Sequence, residues 1–238
     1  MNAVVSPRVA GTATFDLREQ PLRALNGFLH GDLAGVDTVE VLHPDGAHSI
    51  AVGVDAPVHI HVRGHAGYYA AGMNMRAEVT VHGNAGPGVA ENMMSGRVRV
   101  TGSASVAAGA SMHGGLLVVD GDASLRCGIS LKGGDIVVGG SVGSFSAFMA
   151  QAGHLVVCGD AGDALGDSLY EAVIYVGGEV KSLGADARFE TMTDADLATL
   201  RRLLEAAGLA GRRDPAAFRK VASARTLYHW NADAEQEY

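Results

Sequence analysis

Ile60-His-Val62-Arg-Gly64, Val79-Thr-Val81-His-Gly83 and Val98-Arg-Val100-Thr-Gly102 are one five-residue phrase written three times at intervals of 19. It continues without a slip in Leu117-Val-Val119-Asp-Gly121, Ile136-Val-Val138-Gly-Gly140, Leu155-Val-Val157-Cys-Gly159 and Ile174-Tyr-Val176-Gly-Gly178. A fixed period of this length is the signature of a solenoid, in which each repeat is one coil stacked on the next. The first and third residues of the phrase are apolar, and alternation at period two marks a short strand with one buried face. The glycine that follows is expected to supply the backbone freedom for a turn.

Columns run through the rest of the repeat. The residue after the glycine is polar in every copy, from His65, Asn84 and Ser103 to Asp122, Ser141, Asp160 and Glu179. The next position is small, with Ala66, Ala85, Ala104, Ala123, Val142, Ala161 and Val180. Equivalent residues of stacked rungs lie about 4.8 Å apart, so each column must tolerate itself in size and polarity. Small helices in place of strands are excluded, because a glycine interrupts every stretch that could carry a helical period. The fold expected is all-β: a right-handed parallel β-helix of seven 19-residue rungs, its hand following from the bias of parallel crossovers. Six rung spacings make it roughly 29 Å long.

Three segments follow from this reading: a cap with a degenerate first rung (1–58), the β-helix (59–190), and a helical extension with an aromatic tail (191–238). In the cap, Pro21 to His30 reads as a short helix, and Val39-Glu-Val41 with the turn Pro44-Asp-Gly46 opens the degenerate rung. Thr193-x-x-Asp196 resembles a capping box, followed by an apolar helix face of Leu197, Leu200, Leu203, Leu204 and Ala207 and a stop at Gly208. A second helix is expected from Asp214-Pro215, carrying Phe218 and Val221. In the tail, Leu227-Tyr-His-Trp230 reads as a docking anchor.

The outward-facing second residue of each strand changes along the axis. It is His61, Thr80 and Arg99, then Val118, Val137, Val156 and Tyr175. That apolar column should not face water, and the C-terminal segment or another subunit is expected to cover it.

Composition limits the partners. The net charge is −8 and aromatics are 5% of the 238 residues. With no basic stripe on the solenoid, nucleic acid and anionic membrane are poor partners. Seven of the 18 basic residues fall between Arg201 and Arg225, flanked by acidic and apolar positions, which reads as a solvated or partner-facing surface. No segment suits a signal peptide or a membrane span, and the two cysteines, Cys127 and Cys158, suit free thiols in a reducing cytoplasm. Two cysteines cannot ligate an iron–sulfur cluster alone.

The residues give no catalytic constellation. His59, His61, His65 and His82 occupy different columns, unlike converging zinc ligands. Gly83-Asn-Ala-Gly86-Pro-Gly88 and Gly140-Ser-Val-Gly143 do not join a strand to a helix, so they read as rung turns rather than phosphate loops. The least repeat-like residues are Tyr68, Tyr69, Met73 and Asn74, then Glu91, Asn92, Met93 and Met94, then Phe148 and Gln151. They are a candidate partner or channel surface, with packing of one corner of the coil as the plainer alternative.

The strings that hold those residues also carry a resemblance. Gly67-Tyr-Tyr-Ala-Ala-Gly-Met-Asn-Met75, Gly83 to Gly96, Arg126-Cys-Gly-Ile-Ser-Leu-Lys-Gly133 and Leu165-Gly-Asp-Ser-Leu-Tyr-Glu-Ala172 resemble the glycine-repeat domain that ends the large subunit of glutamate synthase. A domain of the same kind recurs in a structural subunit of formylmethanofuran dehydrogenase. As a chain ending in Ser223-Ala-Arg-Thr-Leu-Tyr-His-Trp230 and a short remainder, this one is most similar to the glycine-repeat subunits of N-methylglutamate synthase (methylamine–glutamate N-methyltransferase).

The resemblance implies a three-chain enzyme making N-methylglutamate and ammonia from glutamate and methylamine. A glutamine amidotransferase-like subunit and an FMN-binding glutamate synthase-like subunit would be the partners in this hetero-oligomer, with FMN and the iron–sulfur cluster in the latter. It implies no cofactor, metal or catalytic residue in this chain, only positioning and channelling of ammonia or amine. A structural subunit of a formylmethanofuran-type C1 complex is the alternative, and a carbohydrate-active β-helix a third, which lacks the paired carboxylates it needs.

Overall fold

Residues 11–225 are described by the structure, a computed structural model. Seven strands recur at the spacing of the repeat: β3 (His59–Arg63), β4 (Glu78–Val81), β5 (Arg97–Val100), β6 (Leu116–Val119), β7 (Asp135–Val138), β8 (His154–Val157) and β9 (Val173–Val176). Each pairs in parallel with the next in unbroken register, so that Ile60, Val79, Val98, Leu117, Ile136, Leu155 and Ile174 form one column. These residues and the column from Val62 to Val176 are buried in a single core. The small column from Ala66 to Val180 forms a second parallel ladder of isolated bridges. The molecule is a parallel β-helix.

The glycine of the repeat has a different cause from the one its sequence suggests. Between the two ladders, the polar residue of each rung accepts the backbone N–H of its counterpart one rung on. The run is Asn84 to His65, Ser103 to Asn84, Asp122 to Ser103, Ser141 to Asp122, Asp160 to Ser141 and Glu179 to Asp160, at 2.7–3.2 Å. Those acceptors occupy the space beside the glycines. A Cβ on Gly102 would lie 2.2 Å from Asn84 Oδ1, on Gly140 2.1 Å from Asp122 Oδ1, and on Gly178 2.1 Å from Asp160 Oδ1. None of these three has a positive φ. They are glycine because the stack leaves no room for a side chain.

Both ends are closed by departures from the repeat. At the N-terminal end β2 (Val36–Leu42) adds a rung whose strand is offset by 21 residues, Val39 pairing with Ile60. Before it, β1 (Gly11–Asp16) pairs in parallel with β2, which the sequence reading does not anticipate. Helix α1 (Leu22–Leu29) lies between them and buries Leu25 and Leu29. Its Asn26 donates to Ser49 O at 2.8 Å and accepts from Ala51 N at 3.0 Å, tying the helix to the first turn.

At the other end, β10 (Ala187–Glu190) leads to α2 (Asp194–Ala207), whose capping box joins Thr193 and Asp196 and whose last turn ends on left-handed Gly208. The expected second helix is not formed. One 3-10 turn, Pro215–Ala217, leads into strand β11 (Arg219–Ser223), which runs antiparallel to both β9 and β10. The exposed edge of β9 needs hydrogen-bond partners, and Arg219-Lys-Val-Ala-Ser223 alternates in the strand sense, with Val221 and Ser223 buried. Reversing the strand direction ends the parallel stack. No helix among the described residues is long and apolar enough to cross a membrane.

The steric origin of the repeat glycine is open to direct test. Gly140→Ala should lower stability by about 1–3 kcal/mol, the range for forced overpacking. Gly27→Ala, where a Cβ meets nothing within 4 Å, should be neutral or slightly stabilising. Thermal unfolding of the two variants checks the contrast.

Candidate functional site

Between the small ladder and the next strand, each rung makes an arch with three alternate residues left-handed. In the first full rung these are Tyr69, Ala71 and Met73, and in the fifth Phe145, Ala147 and Met149. Alternating handedness sends successive N–H groups to opposite neighbours: Tyr69 donates to Pro87 O and Met73 to Glu91 O, whereas Ala71 donates to Ile50 O, all at 2.8 Å. An L-residue held left-handed costs about 1–2 kcal/mol, offset here by inter-rung bonds on both sides. The arch does not keep a strand's period of two, so neighbouring residues of similar type face opposite ways.

The candidate residues divide accordingly. Tyr68, Met73, Met94 and Gln151 are exposed, and Tyr69, Glu91, Asn92 and Phe148 are half-exposed. Asn74 and Met93, grouped with them by sequence, are fully buried in one inward column. The Asn74 amide donates to Ala77 O and Ser95 O at 2.9 and 3.1 Å, which makes it an internal brace. These two residues do not belong to the surface.

The structure adds further residues to the candidate surface. Met75, Leu125, Phe145, Met149 and Tyr170 join Tyr68, Met73 and Met94 on the arches, and each of the eight is 39–49% exposed. Tyr68 and Tyr69 stack at 5.6 Å, Phe145 meets Phe148 edge-on at 6.3 Å, and Arg126, Ile129, Phe145 and Phe148 line a shallow recess of about 200 Å³. Exposed apolar side chains thus stand on this face in the first two rungs and again from the fourth to the sixth, with Ser111 and exposed His113 in the third. A run of large exposed apolar side chains on one face marks an interaction surface.

The strand face has the opposite character. Its column Val118, Val137, Val156 and Tyr175 is buried beneath Leu200, Leu203, Leu204 and Ala207 of α2, with Leu209 and Phe218. Asp196 clamps the helix. It accepts from Tyr175 Oη at 2.9 Å, from the Thr193 hydroxyl and amide at 2.6 and 2.9 Å, and pairs with Lys220 at 3.2 Å. Burial raises its pKa, but the bonds from Thr193, Tyr175 and Lys220 outweigh that and hold it at about 2, against 3.8 ordinarily. Burial, then the bond to Asp196 and its charge, pushes the Tyr175 phenol well above its usual range.

Beyond α2 the strand face is polar. Glu40 holds Arg63 through two bonds of 2.6 and 2.8 Å, and Arg63 reaches His82 Nε2 at 3.0 Å. His61 Nδ1 meets the same His82 nitrogen at 3.1 Å. Burial, Arg63 and His61 together lower the His82 pKa, and Nε2 accepts from Arg63, whose guanidinium can only donate. His65 serves the backbone ladder instead, and His59 lies 3.5 Å from Glu78. Among the described residues no three His, Cys, Asp or Glu groups converge as metal ligands. Burial pushes the Cys127 thiol up to about 12 and the Cys158 thiol up to about 11, the latter against the pull of Arg212 and Arg213. Neither is poised as a nucleophile.

Protein GlxC of Rhizobium meliloti (strain 1021) is 55% identical to this chain over 225 residues, covering 94% of this chain and 98% of that protein. The chain belongs to the GlxC family. No family model matches the chain, and no solved structure matches it. The likeness to GlxC therefore spans almost the whole length of both chains rather than one motif alone.

Two expected outcomes concern the α2 clamp. Replacing Val137 and Val156 together by Asp would bury unpaired carboxylates at several kcal/mol each, so limited proteolysis should cut near α2 while β-sheet circular dichroism persists. The Asp196 carboxylate is favoured by folding, so its contribution is full above about pH 4 and lost as pH falls toward 2. The drop from 3.8 to about 2 corresponds to roughly 2–3 kcal/mol. Asp196→Asn should therefore destabilise at pH 7 and flatten the acid limb of a stability–pH curve.

Proposed function

We propose that this chain is the non-catalytic structural subunit of a glutamate synthase-like complex that makes N-methylglutamate from glutamate and methylamine. The observation that carries the reading is the apolar arch face, unmatched by any polar, titratable constellation suited to catalysis among the described residues. Its Tyr68, Met73, Met94 and Phe145 suit docking against a protein surface. The resemblance of the strings from Gly67 to Ala172 supplies the type of complex, and the GlxC relationship is compatible with it. FMN and an iron–sulfur cluster would belong to the synthase-like partner, and glutamine-derived or amine nitrogen chemistry to the other chains.

The contribution of this chain would be geometric. The columns from Ile60 to Ile174 and from Val62 to Val176 fill the interior of the coil with side chains, so the solenoid is not itself a bore. A conduit for ammonia or methylamine would run outside it, with one of its faces as a wall. A stiff wall keeps two sites at a fixed separation and keeps a small amine from escaping to water.

Gentle purification from the native host, with mass spectrometry and a visible spectrum of what co-elutes, tests the proposal. An amidotransferase-like chain, a larger chain with flavin absorbance, and N-methylglutamate formation from methylamine and glutamate are expected. A colourless chain eluting alone, or molybdenum- or formyl-transfer-type partners, would overturn it.

A further inference from the structure

The described chain stops beside the apolar arch face. Ala224 N–H donates to Asp186 O at 2.7 Å, and the Arg225 guanidinium pairs with the Asp186 carboxylate. The adjacent Ala185 O accepts from Ser168 N at 2.8 Å, two residues before the exposed ring of Tyr170. Arg225, the last described residue, therefore lies at the Tyr170 end of that face. The 13 residues that follow open with Leu227-Tyr-His-Trp230, and beyond these lie Asp233, Glu235 and Glu237 with no Lys or Arg.

Reach and charge both match the recess lined by Arg126, Ile129, Phe145 and Phe148. Phe148 lies one 19-residue rung before Asp167, and Arg126 two rungs before Ala164. The end of the described chain, at Asp186, lies one rung beyond that level, since Ser168 N donates to Ala185 O, so at about 4.8 Å per rung the recess is roughly 10–14 Å along the axis from it, within reach of His229 and Trp230. Leu227 to Trp230 stand two to five residues past Arg225, which spans about 7–17 Å when extended. Arg126 and Lys132 on this face form no ion pair with another described residue, and the acidic residues further along can meet them.

We propose that Leu227-Tyr-His-Trp230 folds back onto its own chain and seats in the Arg126–Phe148 recess, with the acidic residues beyond it against Arg126 and Lys132. A tether this short gives the segment an effective concentration in the millimolar range, which favours it over a second copy at ordinary protein concentrations. The seated tail covers the Phe145–Tyr170 half of the arch face and leaves the Tyr68–Met94 half open to a partner. This self-docking is independent of which complex the chain enters.

Trp230 is the single tryptophan, so its fluorescence reports the contact in the full, unmodified chain. Relative to a free peptide of residues 226–238, emission should be shifted to the blue and acrylamide quenching should be several-fold weaker. Both should be unchanged by dilution. Phe148→Asp should return both to the peptide values with circular dichroism intact, whereas Tyr68→Ser, at the far end of the face, should change neither. Should Phe148→Asp fail to fold, the paired charge reversal Arg126→Glu and Lys132→Glu on the surface should raise quenching in the same sense.

Peptide-like emission in the full chain would overturn the proposal. So would protection that survives both sets of substitutions, which would put the tail elsewhere. Protection that disappears on dilution together with a dimer would assign the contact to a second copy and overturn it as well.

Discussion

The structure depends on the close approach of one rung to the next at the repeat glycine. There the backbone of a rung and the polar side chain of its predecessor share a space that cannot also admit a methyl group, as the 2.1 Å from a Cβ on Gly140 to Asp122 Oδ1 illustrates. The same side chain satisfies the next rung's N–H, so a single residue pair fixes both spacing and polarity. Each such bond contributes only about 0.5–1.5 kcal/mol net. Repeated from His65 to Glu179 in register with two β-ladders, the bonds leave successive coils no freedom to slide, since a one-residue slip would turn the buried columns outward.

That stiffness gives the two outer faces their meaning. The strand face is occupied: α2 lies on Val118, Val137, Val156 and Tyr175, and the Asp196 clamp ties it to both the final rung and the antiparallel cap. The arch face displays Tyr, Met, Phe and Leu on a backbone pinned from above and below. A flexible surface would lose part of its binding energy to ordering on association. Side chains carried by a stacked solenoid keep a fixed pattern, which would suit the spacing role proposed for this chain.

Much of this was legible in residue order. The seven phrases from Ile60 to Gly178 dictate the strands, their register and the buried columns, and Thr193-x-x-Asp196 with Gly208 marks the ends of α2. The reason for the glycines was not, because it depends on a side chain 18 residues earlier in the chain that touches them only after stacking. The arches were opaque for a related reason. Their left-handed residues include Tyr69, Met73 and Phe145, types that seldom adopt that conformation, and so Asn74 and Met93 looked like surface while Leu125 and Phe145 went unremarked. Strand β11 was misread because proline after aspartate favours a helix start, and nothing local reveals the open edge of β9. The candidate residues therefore all lie on the arches, with inward and outward members mixed.

The central claim is that the arch face is a protein-docking surface on a rigid, non-catalytic stack. Oxidative footprinting of methionine, which converts accessible thioethers to sulfoxides, compares the free chain with the same chain in its native assembly. The account predicts that Met73, Met75 and Met94 react readily in the free chain and lose most of that reactivity in the assembly, while buried Met93 and Met112 stay protected in both. Equal oxidation of Met73, Met75 and Met94 in the free and assembled states would contradict it.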